Sequence, residues 1–300
     1  MSEYHTPVML NECIEGLDIK PEGTYVDVTF GGGGHSREIL KHLNSEGRLL
    51  AFDQDADAKQ NIIDDSRFVF IDQNFRYLKN FCRLHDALPV DGVLADLGVS
   101  SYQFDQAERG FSIRFDAELD MRMNQQSELS AKEVINNYSE AELHRIFGIY
   151  GEIQNAKSLA NTVVTARLNA PIVTVADLKN AISNRIPRGK ENKYLAQVFQ
   201  ALRIEVNQEL EALKDFLIQS AAVLVSGGRL VVMSYHSLED RLVKNFIAKG
   251  KFSGEVEKDL YGNDNKPFDA VSRGAITASE DEIKNNNRAR SAKLRIAIKR

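Results

Sequence analysis

Short hydrophobic runs alternate with helical patterns over the first hundred residues of the chain. Four of these runs are rich in Val, Ile, Leu or Phe and bounded by Gly, Asp or Asn, which predicts strands at residues 24–30, 48–53, 68–71 and 92–97. The helical patterns between them provide the crossovers of β-α-β units. The pattern therefore predicts an α/β fold around a parallel sheet.

A fifth predicted strand, at residues 229–235, follows only after about 130 residues, whereas a whole crossover unit needs roughly 30 residues. The residues between show helical patterns, and Ser139 and Thr174 each begin a sequence that resembles a capping box. We therefore predict an all-helical domain at residues 105–209, inserted into a sheet domain formed by residues 1–104 and 210–300.

The last third of the chain has less regular patterns. A helical pattern at residues 193–225 is too long for one ordinary helix, so it contains a break whose position stays open. A helix is predicted at residues 238–248 and a closing strand at residues 294–298. Residues 251–287 are rich in Gly, Asn, Asp, Glu and Lys, which predicts a mobile loop.

The composition is that of a folded globular protein. Of the 300 residues, 43% are hydrophobic and 27% are charged. The longest apolar runs are far too short to span a membrane, and the first ten residues lack the features of a signal peptide. Cys13 and Cys82 form no ligand-like pair. We therefore expect a cytoplasmic protein with reduced thiols, no membrane segment and no structural zinc.

Positive charge is concentrated at one end of the chain. Residues 284–300 hold seven of the 38 basic residues and no acidic ones, which leaves 31 basic against 43 acidic residues elsewhere. A local basic patch can bind nucleic acid, but the acidic balance of the rest disfavours broad, sequence-independent binding.

Four consecutive glycines, residues 31–34, follow the first predicted strand, where open α/β sheets bind nucleotide-like ligands. Ser36 stands where the dinucleotide fingerprint has its third glycine, so a cofactor with a pyrophosphate is disfavoured. Asp53 ends the second strand 20 residues after Gly33, where a carboxylate can accept hydrogen bonds from both ribose hydroxyls. This combination favours S-adenosylmethionine over a simple tight turn.

Two residues beside the glycine loop each have two interpretations. Asp27 either holds the loop or contacts the amino group of the ligand. His35 either contacts the ligand or introduces a helix that Ser36 caps, and the residues alone favour the second interpretation.

Asp96 ends the fourth predicted strand, at the edge where parallel sheets place their chemistry. Methylation of an exocyclic amine needs the nitrogen lone pair aligned with the sulfonium methyl, and a nearby acceptor can orient the N–H and help to remove its proton. Asp96 can take that role or contact the cofactor. The Pro-Pro-Tyr sequence that often follows an Asn or Asp here in aminomethyltransferases acting on DNA is absent.

Three further side chains are candidates for ligand contacts. Phe75, after the third strand, can cover an adenine ring, and Gln103, beyond the fourth, can reach a polar edge of the ligand. His236 ends the fifth strand, but Ser237 with Asp240 predicts a helix cap there, which favours a structural role.

Hydrolytic and metal chemistry find little support. The sequence has no nucleophile elbow. Residues 53–57 begin like an EF-hand loop, but Ala58 stands where glycine is required and Asp64 where glutamate is required. We therefore predict no metal site.

Nine short motifs carry a resemblance to a known family: HTPVML at 5–10, TFGGGGHS at 29–36, DLGVSS at 96–101, ERGFS at 108–112, LDMRM at 119–123, FQALR at 199–203, VNQEL at 206–210, HSLEDR at 236–241 and RARS at 288–291. Through them the chain resembles, over almost its whole length, the bacterial ribosomal RNA small subunit methyltransferase H family. The resemblance implies a Rossmann-like class I S-adenosylmethionine-dependent methyltransferase domain interrupted by the helical domain. It implies N4 methylation of a cytosine in the decoding centre of 16S rRNA, and a cofactor site of Gly33, Gly34, His35, Asp53, Phe75, Asp96 and Gln103.

A base has to leave its stack to be methylated, and we expect the inserted domain to help as a substrate-recognition domain. Its candidate RNA surface combines basic groups with an aromatic ring: Arg185, Arg188, Lys190, Lys193 and Tyr194. His236 is a further candidate for substrate contact. A solvated loop between helices is an equally good interpretation of the basic run.

Two other functions stay open beside methylation of rRNA in an assembled small subunit. One is a related methyltransferase with a DNA or small-molecule substrate, because a fold does not fix a function. The other is a non-enzymatic ribosome assembly factor that binds RNA through the basic tail and the inserted domain. The sequence also leaves a homodimer open.

Overall fold

The structure, a computed structural model, describes residues 7–300, so the first two residues of the HTPVML motif lie outside it. Contacts divide the chain into a sheet unit, which runs up to Gly98 and resumes over Leu210–Arg300, and a helical unit, Val99–Glu209. The first boundary lies after Gly98 and not after residue 104, because the chain leaves the sheet at Asp96 and turns at Gly98, whose φ is 103°. The functions expected of the two domains stay predictions.

Seven strands form a single sheet in the sheet unit: β1 Thr24–Asp27, β2 Arg48–Asp53, β3 Phe68–Asp72, β4 Val90–Asp96, β5 Leu224–Ser234, β6 Phe268–Ala270 and β7 Lys293–Lys299. Their spatial order is β3-β2-β1-β4-β5-β7-β6. The first five are parallel, and β7 runs antiparallel to both of its neighbours. The predicted strands are confirmed with shifted ends, and so is the predicted Rossmann-like α/β class.

The helices of the described residues are α1 Leu10–Leu17, α2 Gly34–His42, α3 Leu78–Leu84, α4 Ser101–Asp105, α5 Ala131–Asn137, α6 Glu140–Ile149, α7 Ala156–Arg167, α8 Val175–Ile182, α9 Glu191–Asn207, α10 Glu209–Val223, α11 Ser237–Lys249 and α12 Glu280–Asn285. Within residues 7–300, none of them is both long and apolar enough to cross a membrane.

Helices cover both faces of the sheet, which explains why the strands are almost continuously apolar. Alternate residues of β2 point to opposite faces: Leu49 joins one hydrophobic cluster and Leu50 the other. The cluster of Leu49 contains Cys13 of α1 and Ile39 of α2, whereas Phe216 of α10 belongs to the opposite cluster, together with residues of α3 and α11. Packing in the two cores fixes the positions of the strands, so the carboxyl ends of the parallel strands lie at one edge of the sheet.

The helical unit has a core of its own. Phe147 of α6, Leu159 of α7, Leu178 of α8 and Val198 of α9 are fully buried. The two capping boxes predicted from sequence are confirmed, at the starts of α6 and α8. Residues 106–130 are mostly irregular, and an isolated bridge joins Glu118 to Thr174.

Two predictions about the last third of the chain are refined or wrong. The long helical pattern breaks at Gln208, which ends α9 in a left-handed conformation with φ 49°. The mobile loop expected at residues 251–287 contains β6 and α12. These elements have three and six residues, too few to show a hydrophobic period, and β6 is held by the fully buried Phe268.

We expect the exposed cap of α6 to contribute measurably to stability. The hydroxyl of Ser139 accepts a hydrogen bond from the Glu142 amide, and the Glu142 carboxylate accepts one from the Ser139 amide at 2.7 Å. Ser139→Ala should lower the free energy of unfolding by about 1 kcal/mol, as loss of an N-cap does. Urea unfolding followed by circular dichroism measures it, with Ser139→Asp as the control that keeps an acceptor. An unchanged stability in the alanine variant would contradict the capping role.

Candidate active site

The glycine loop connects β1 to α2 in a conformation that requires glycine. Gly33 is the N-cap residue of α2 and has φ 74°. A Cβ added there would lie 2.9 Å from the ring of Phe30, so another side chain would force the loop to move. Within the described residues no side chain caps this end of α2. Amides of a helix start attract carboxylates, so the amino-acid end of S-adenosylmethionine fits here.

Asp53 anchors the glycine loop from the end of β2. Its Oδ2 accepts a hydrogen bond from the Gly31 amide at 2.8 Å, and its Oδ1 accepts one from the Asp55 amide at 2.9 Å. Burial raises the pKa of the Asp53 carboxyl to about 6, although these two bonds act to lower it. A carboxylate has about four lone-pair sites, so each oxygen keeps capacity for a further donor such as a ribose hydroxyl.

Asp27 holds the loop from below. Its carboxylate accepts hydrogen bonds from the Ser36 hydroxyl at 2.7 Å and from the Thr29 amide at 3.1 Å, and the residue is almost fully buried. Of the two interpretations of Asp27, the contacts bear out the loop-holding one. The expectation that Ser36 caps α2 is wrong, because Ser36 lies inside the first turn and Gly33 is the cap.

Asp96 ends β4. The strand order reverses between β1 and β4, and ligands of such sheets bind at this point. Oδ1 of Asp96 accepts a hydrogen bond from the Tyr235 hydroxyl at 2.7 Å, and its Oδ2 is 3.9 Å from Nδ1 of His35. The backbone amide of Asp96 donates to the Thr29 hydroxyl at 2.7 Å, which ties β4 to the glycine loop. Burial raises the pKa of the Asp96 carboxyl to about 6, while His35 and Tyr235 act to lower it.

Oδ2 of Asp96 therefore keeps acceptor capacity, and the side chain is 24% exposed. His35 is held by the other ring nitrogen, since its Nε2 lies 3.3 Å from the carbonyl oxygen of Val8. The structure thus brings His35 close to Asp96 but fixes the imidazole to the chain before α1. The contact of His35 with a ligand stays a prediction.

Phe75 and Gln103 lie in different units. Phe75 begins a short 3₁₀ turn after β3, and its ring meets that of Phe216 edge-on at 5.6 Å between centroids. Gln103 belongs to α4 of the helical unit, where it is buried and forms a capping box with Ser100. Their contacts with a cofactor stay predictions.

The prediction for the start of α11 is wrong by one residue. His236, not Ser237, is the N-cap residue, and Glu239 rather than Asp240 occupies the third helical position. Asp240 instead accepts a hydrogen bond from Arg295 of β7 at 2.7 Å. Nε2 of His236 lies 3.2 Å from the Glu239 carboxylate. Neither ring nitrogen of His236 has a hydrogen-bond partner among the described residues, so both its structural role and its contact with substrate stay predictions.

One of the candidate RNA-contact residues of the helical unit, Tyr194, does not lie on its surface. The ring of Tyr194 is buried and its hydroxyl donates to the Asn155 side chain at 2.9 Å, so it cannot stack on a base. Arg185 donates from Nε to the Thr162 hydroxyl at 2.6 Å, which ties it to α7. The other three candidates are exposed: Arg188, Lys190 and Lys193.

Comparison with known proteins places this geometry in a family. The model of the MraW methylase family matches residues 2–300. The chain belongs to the MraW methylase family. Two proteins named ribosomal RNA small subunit methyltransferase H are similar over nearly all of both chains: that of Cytophaga hutchinsonii is 62% identical, over 98% of this chain and 99% of its own, and that of Christiangramia forsetii is 59% identical, over 100% and 99%.

Among solved structures, an rRNA methylase from Streptococcus thermophilus is 13% identical with a TM-score of 0.39, over 97% of this chain and 93% of its own. Family membership confirms the resemblance drawn from the nine motifs. It also confirms that the chain is a methyltransferase whose cofactor is S-adenosyl-L-methionine.

Sequence reasoning missed two residues that organise the site, Tyr235 and Thr29. The Tyr235 hydroxyl donates to the Asp96 carboxylate, and the Thr29 hydroxyl accepts from the Asp96 amide. The ends of β1 and β5 carry a signal for them, because parallel strands bring such residues to the same edge as the end of β4.

We expect cofactor affinity to fall as the pH falls through about 6, where Asp53 takes up a proton and loses acceptor capacity. Calorimetric titration with S-adenosylmethionine from pH 5 to 8 measures this. Asp53→Asn should bind the cofactor more weakly at pH 8, and its affinity should depend less on pH. Asp96→Asn is measured in parallel. Wild-type affinity in Asp53→Asn at pH 8 would overturn the assignment of Asp53 to the ribose.

Acid unfolding through these two groups does not complicate that measurement. The folded pKa values of Asp53 and Asp96, about 6, lie above the ordinary 3.8, so the fold favours their protonated forms. Their burial therefore destabilises the fold as the pH rises from about 4 to 6, and acidification relieves that cost. A thermal unfolding scan at each pH serves as the control.

Proposed function

We propose that this methyltransferase transfers a methyl group from S-adenosyl-L-methionine to the N4 amine of a cytidine in the decoding centre of 16S rRNA, within the assembled small subunit. The observation that carries the proposal is the full-length similarity, at 54–62% identity, to relatives named ribosomal RNA small subunit methyltransferase H. The position of the base and the state of the ribosomal particle come from the resemblance alone.

The geometry around Asp96 supports methylation of an amine. Bound S-adenosylmethionine supplies an electrophilic methyl group at this edge of the sheet. The exocyclic amine must point its lone pair at that methyl, so its N–H bonds need an acceptor to orient them. Oδ1 of Asp96 is held by Tyr235, which leaves Oδ2 to accept an N–H. As the N–C bond forms and the C–S bond breaks, the nitrogen must lose a proton, and an ionised Asp96 is able to take it.

The helical unit supplies candidate contacts for the RNA that carries the base. A cytidine reaches such a site only after it has left its stack, and the displaced strand needs contacts of its own. Arg188, Lys190 and Lys193 are exposed at the start of α9 and offer charges for phosphates. We assign them to the RNA backbone, without Tyr194.

Two rival functions make different predictions about binding and turnover. A related methyltransferase would bind the cofactor but modify DNA or a small molecule in preference to rRNA. A non-enzymatic assembly factor would bind RNA without measurable affinity for the cofactor. The acceptor capacity that Asp53 and Asp96 keep for a ligand disfavours this alternative. A homodimer and a cytoplasmic location stay predictions.

The decisive experiment offers three substrates to the same enzyme. The protein and labelled S-adenosylmethionine are incubated with undermodified small subunits, naked 16S rRNA and duplex DNA, and the methylated nucleoside is identified by mass spectrometry. We expect N4-methylated cytidine from the small subunits and less from naked rRNA. Methylation of DNA alone would support the first rival, and absence of both transfer and cofactor binding would support the second.

A second experiment tests Asp96 through its neighbour. Tyr235→Phe removes the hydrogen bond that lowers the pKa of Asp96, so the acid limb of the kcat/KM profile should move to higher pH. We expect a shift of about one pH unit, because a hydrogen bond to a charged group contributes about 1.5 kcal/mol. Tyr25→Phe is the matched control, since the Tyr25 hydroxyl accepts from the Lys20 amide away from Asp96. An unshifted profile in Tyr235→Phe would show that Asp96 does not set the acid limb.

A further inference from the structure

A basic cavity lies at the outer edge of the sheet unit. It measures about 400 Å³ and lies where α11 ends, beside β6 and the end of β7. Its charged lining consists of one carboxylate, Glu257, and five cations: Lys249, Lys251, Lys266, Lys299 and Arg300. The cavity therefore gathers cations within a unit whose sequence is otherwise rich in acidic residues.

Carboxylates partner only some of these cations. Lys251 lies 3.1 Å from Glu257, while Lys266 and Arg300 share Asp269 at 3.3 and 2.8 Å. Two lysines have no carboxylate partner among the described residues. Lys249 donates to the carbonyl of Gly254 at 2.8 Å, and Lys299 lies 6.0 Å from the centre of the Phe268 ring. Asp264 also acts on Arg300, so five cations face three carboxylates, and the remaining positive charge is one that an anionic group can neutralise.

A short hairpin beside the cavity exposes an aromatic ring. Residues 257–265 form the hairpin, and Glu257 and Asn265 at its two ends line the cavity. The Asp259 carboxylate accepts hydrogen bonds from the amides of Tyr261 and Asn263 at 2.8 and 2.9 Å, which orders the turn. Tyr261 at the tip is 90% exposed, and Leu260 beside it is fully exposed. An ordered turn thus holds a ring in solvent with no protein partner for its faces among residues 7–300.

We propose that the basic cavity and the Tyr261 hairpin form a second RNA contact, in which the cavity takes a backbone phosphate and Tyr261 stacks on an unpaired base. Lysine side chains that lack carboxylate partners neutralise phosphates, and exposed aromatic rings are sequence-tolerant platforms for bases. The combination favours RNA over a protein partner, since a protein would have to present carboxylates to the cavity and an apolar patch to the hairpin at the same time. The inference rests on the proposed function, because it assigns this surface to the same RNA substrate.

This site also accounts for part of the basic tail. Lys293 and Arg295 in that tail share the carboxylate of Asp240 of α11, at 3.5 and 2.7 Å. Lys299 and Arg300, at the end of β7, instead reach the cavity. The tail therefore ends in a strand, β7, that places Lys299 and Arg300 at the cavity.

The test measures RNA binding by the full chain as a function of salt. Filter binding to naked 16S rRNA and to undermodified small subunits is followed over a range of KCl concentrations. We expect Lys249→Gln combined with Lys299→Gln to reduce the slope of log K against log [KCl] by about 0.7 to 0.9, the contribution of the one phosphate contact that the cavity makes. Tyr261→Ala should weaken binding roughly five-fold or more, as loss of a stacked base does.

Matched variants separate the site from general effects. Lys41→Gln combined with Lys214→Gln removes the same charge from one exposed and one half-buried helix position of the sheet unit, and it should keep the wild-type slope. Tyr261→Phe keeps the ring and should bind as wild type. Cofactor affinity and the thermal unfolding midpoint should be unchanged in every variant, and KM for the subunits should rise while kcat is preserved.

Different outcomes overturn different statements. A wild-type slope and affinity in the lysine variant, with methyl transfer to rRNA intact in the wild type, would refute the second RNA contact and leave the proposed function standing. Variants that bind naked rRNA normally but small subunits weakly would identify a ribosomal protein as the occupant, which also refutes it. A wild-type protein that neither binds nor methylates rRNA would remove the proposed function and this inference together.

Discussion

The active edge depends on three carboxylates that the fold removes from bulk water, Asp27 almost fully and Asp53 and Asp96 in part. Asp27, Asp53 and Asp96 end three neighbouring parallel strands. Burial of an ionised carboxylate costs free energy unless hydrogen bonds offset it. Here the donors come from the segments that shape the site: the Ser36 hydroxyl for Asp27, the Gly31 amide for Asp53 and the Tyr235 hydroxyl for Asp96. The need to satisfy these charges therefore orders the glycine loop and the end of β5.

The same three groups divide into structural and functional carboxylates. Asp27 is almost fully buried, and its bonds to Ser36 and Thr29 direct it at the loop. Asp53 and Asp96 also hold the chain, but each is only partly buried and keeps acceptor capacity for a ligand. Their raised pKa values, about 6, follow from the loss of solvent around each carboxyl. At neutral pH both are ionised, as acceptors of hydroxyl or amine protons need to be.

Sequence patterns predicted the sheet well because its strands are buried on both faces and therefore apolar throughout. Asp53 and Asp96 followed from that, since strand ends mark the edge where ligands bind. The partnership of Tyr235 with Asp96 did not, because it requires knowing that β5 lies beside β4 although the helical unit separates them in the chain. Tyr194 was misassigned for a different reason. Its spacing of four residues from the buried Val198 marks the core face of α9, and a local count of basic and aromatic residues ignores that period.

The distribution of charge explains how an acidic chain can handle a polyanion. Outside residues 284–300 acidic residues outnumber basic ones by 43 to 31, so the long-range field does not attract RNA. At physiological salt, screening limits that field to about 8 Å, and contacts between individual groups dominate inside this distance. Cations whose partner is a carbonyl or a ring, such as Lys249 and Lys299, are then more useful than those already paired with carboxylates. Such a surface binds RNA only where its few available cations match phosphates, which favours one shaped substrate over nucleic acid in general.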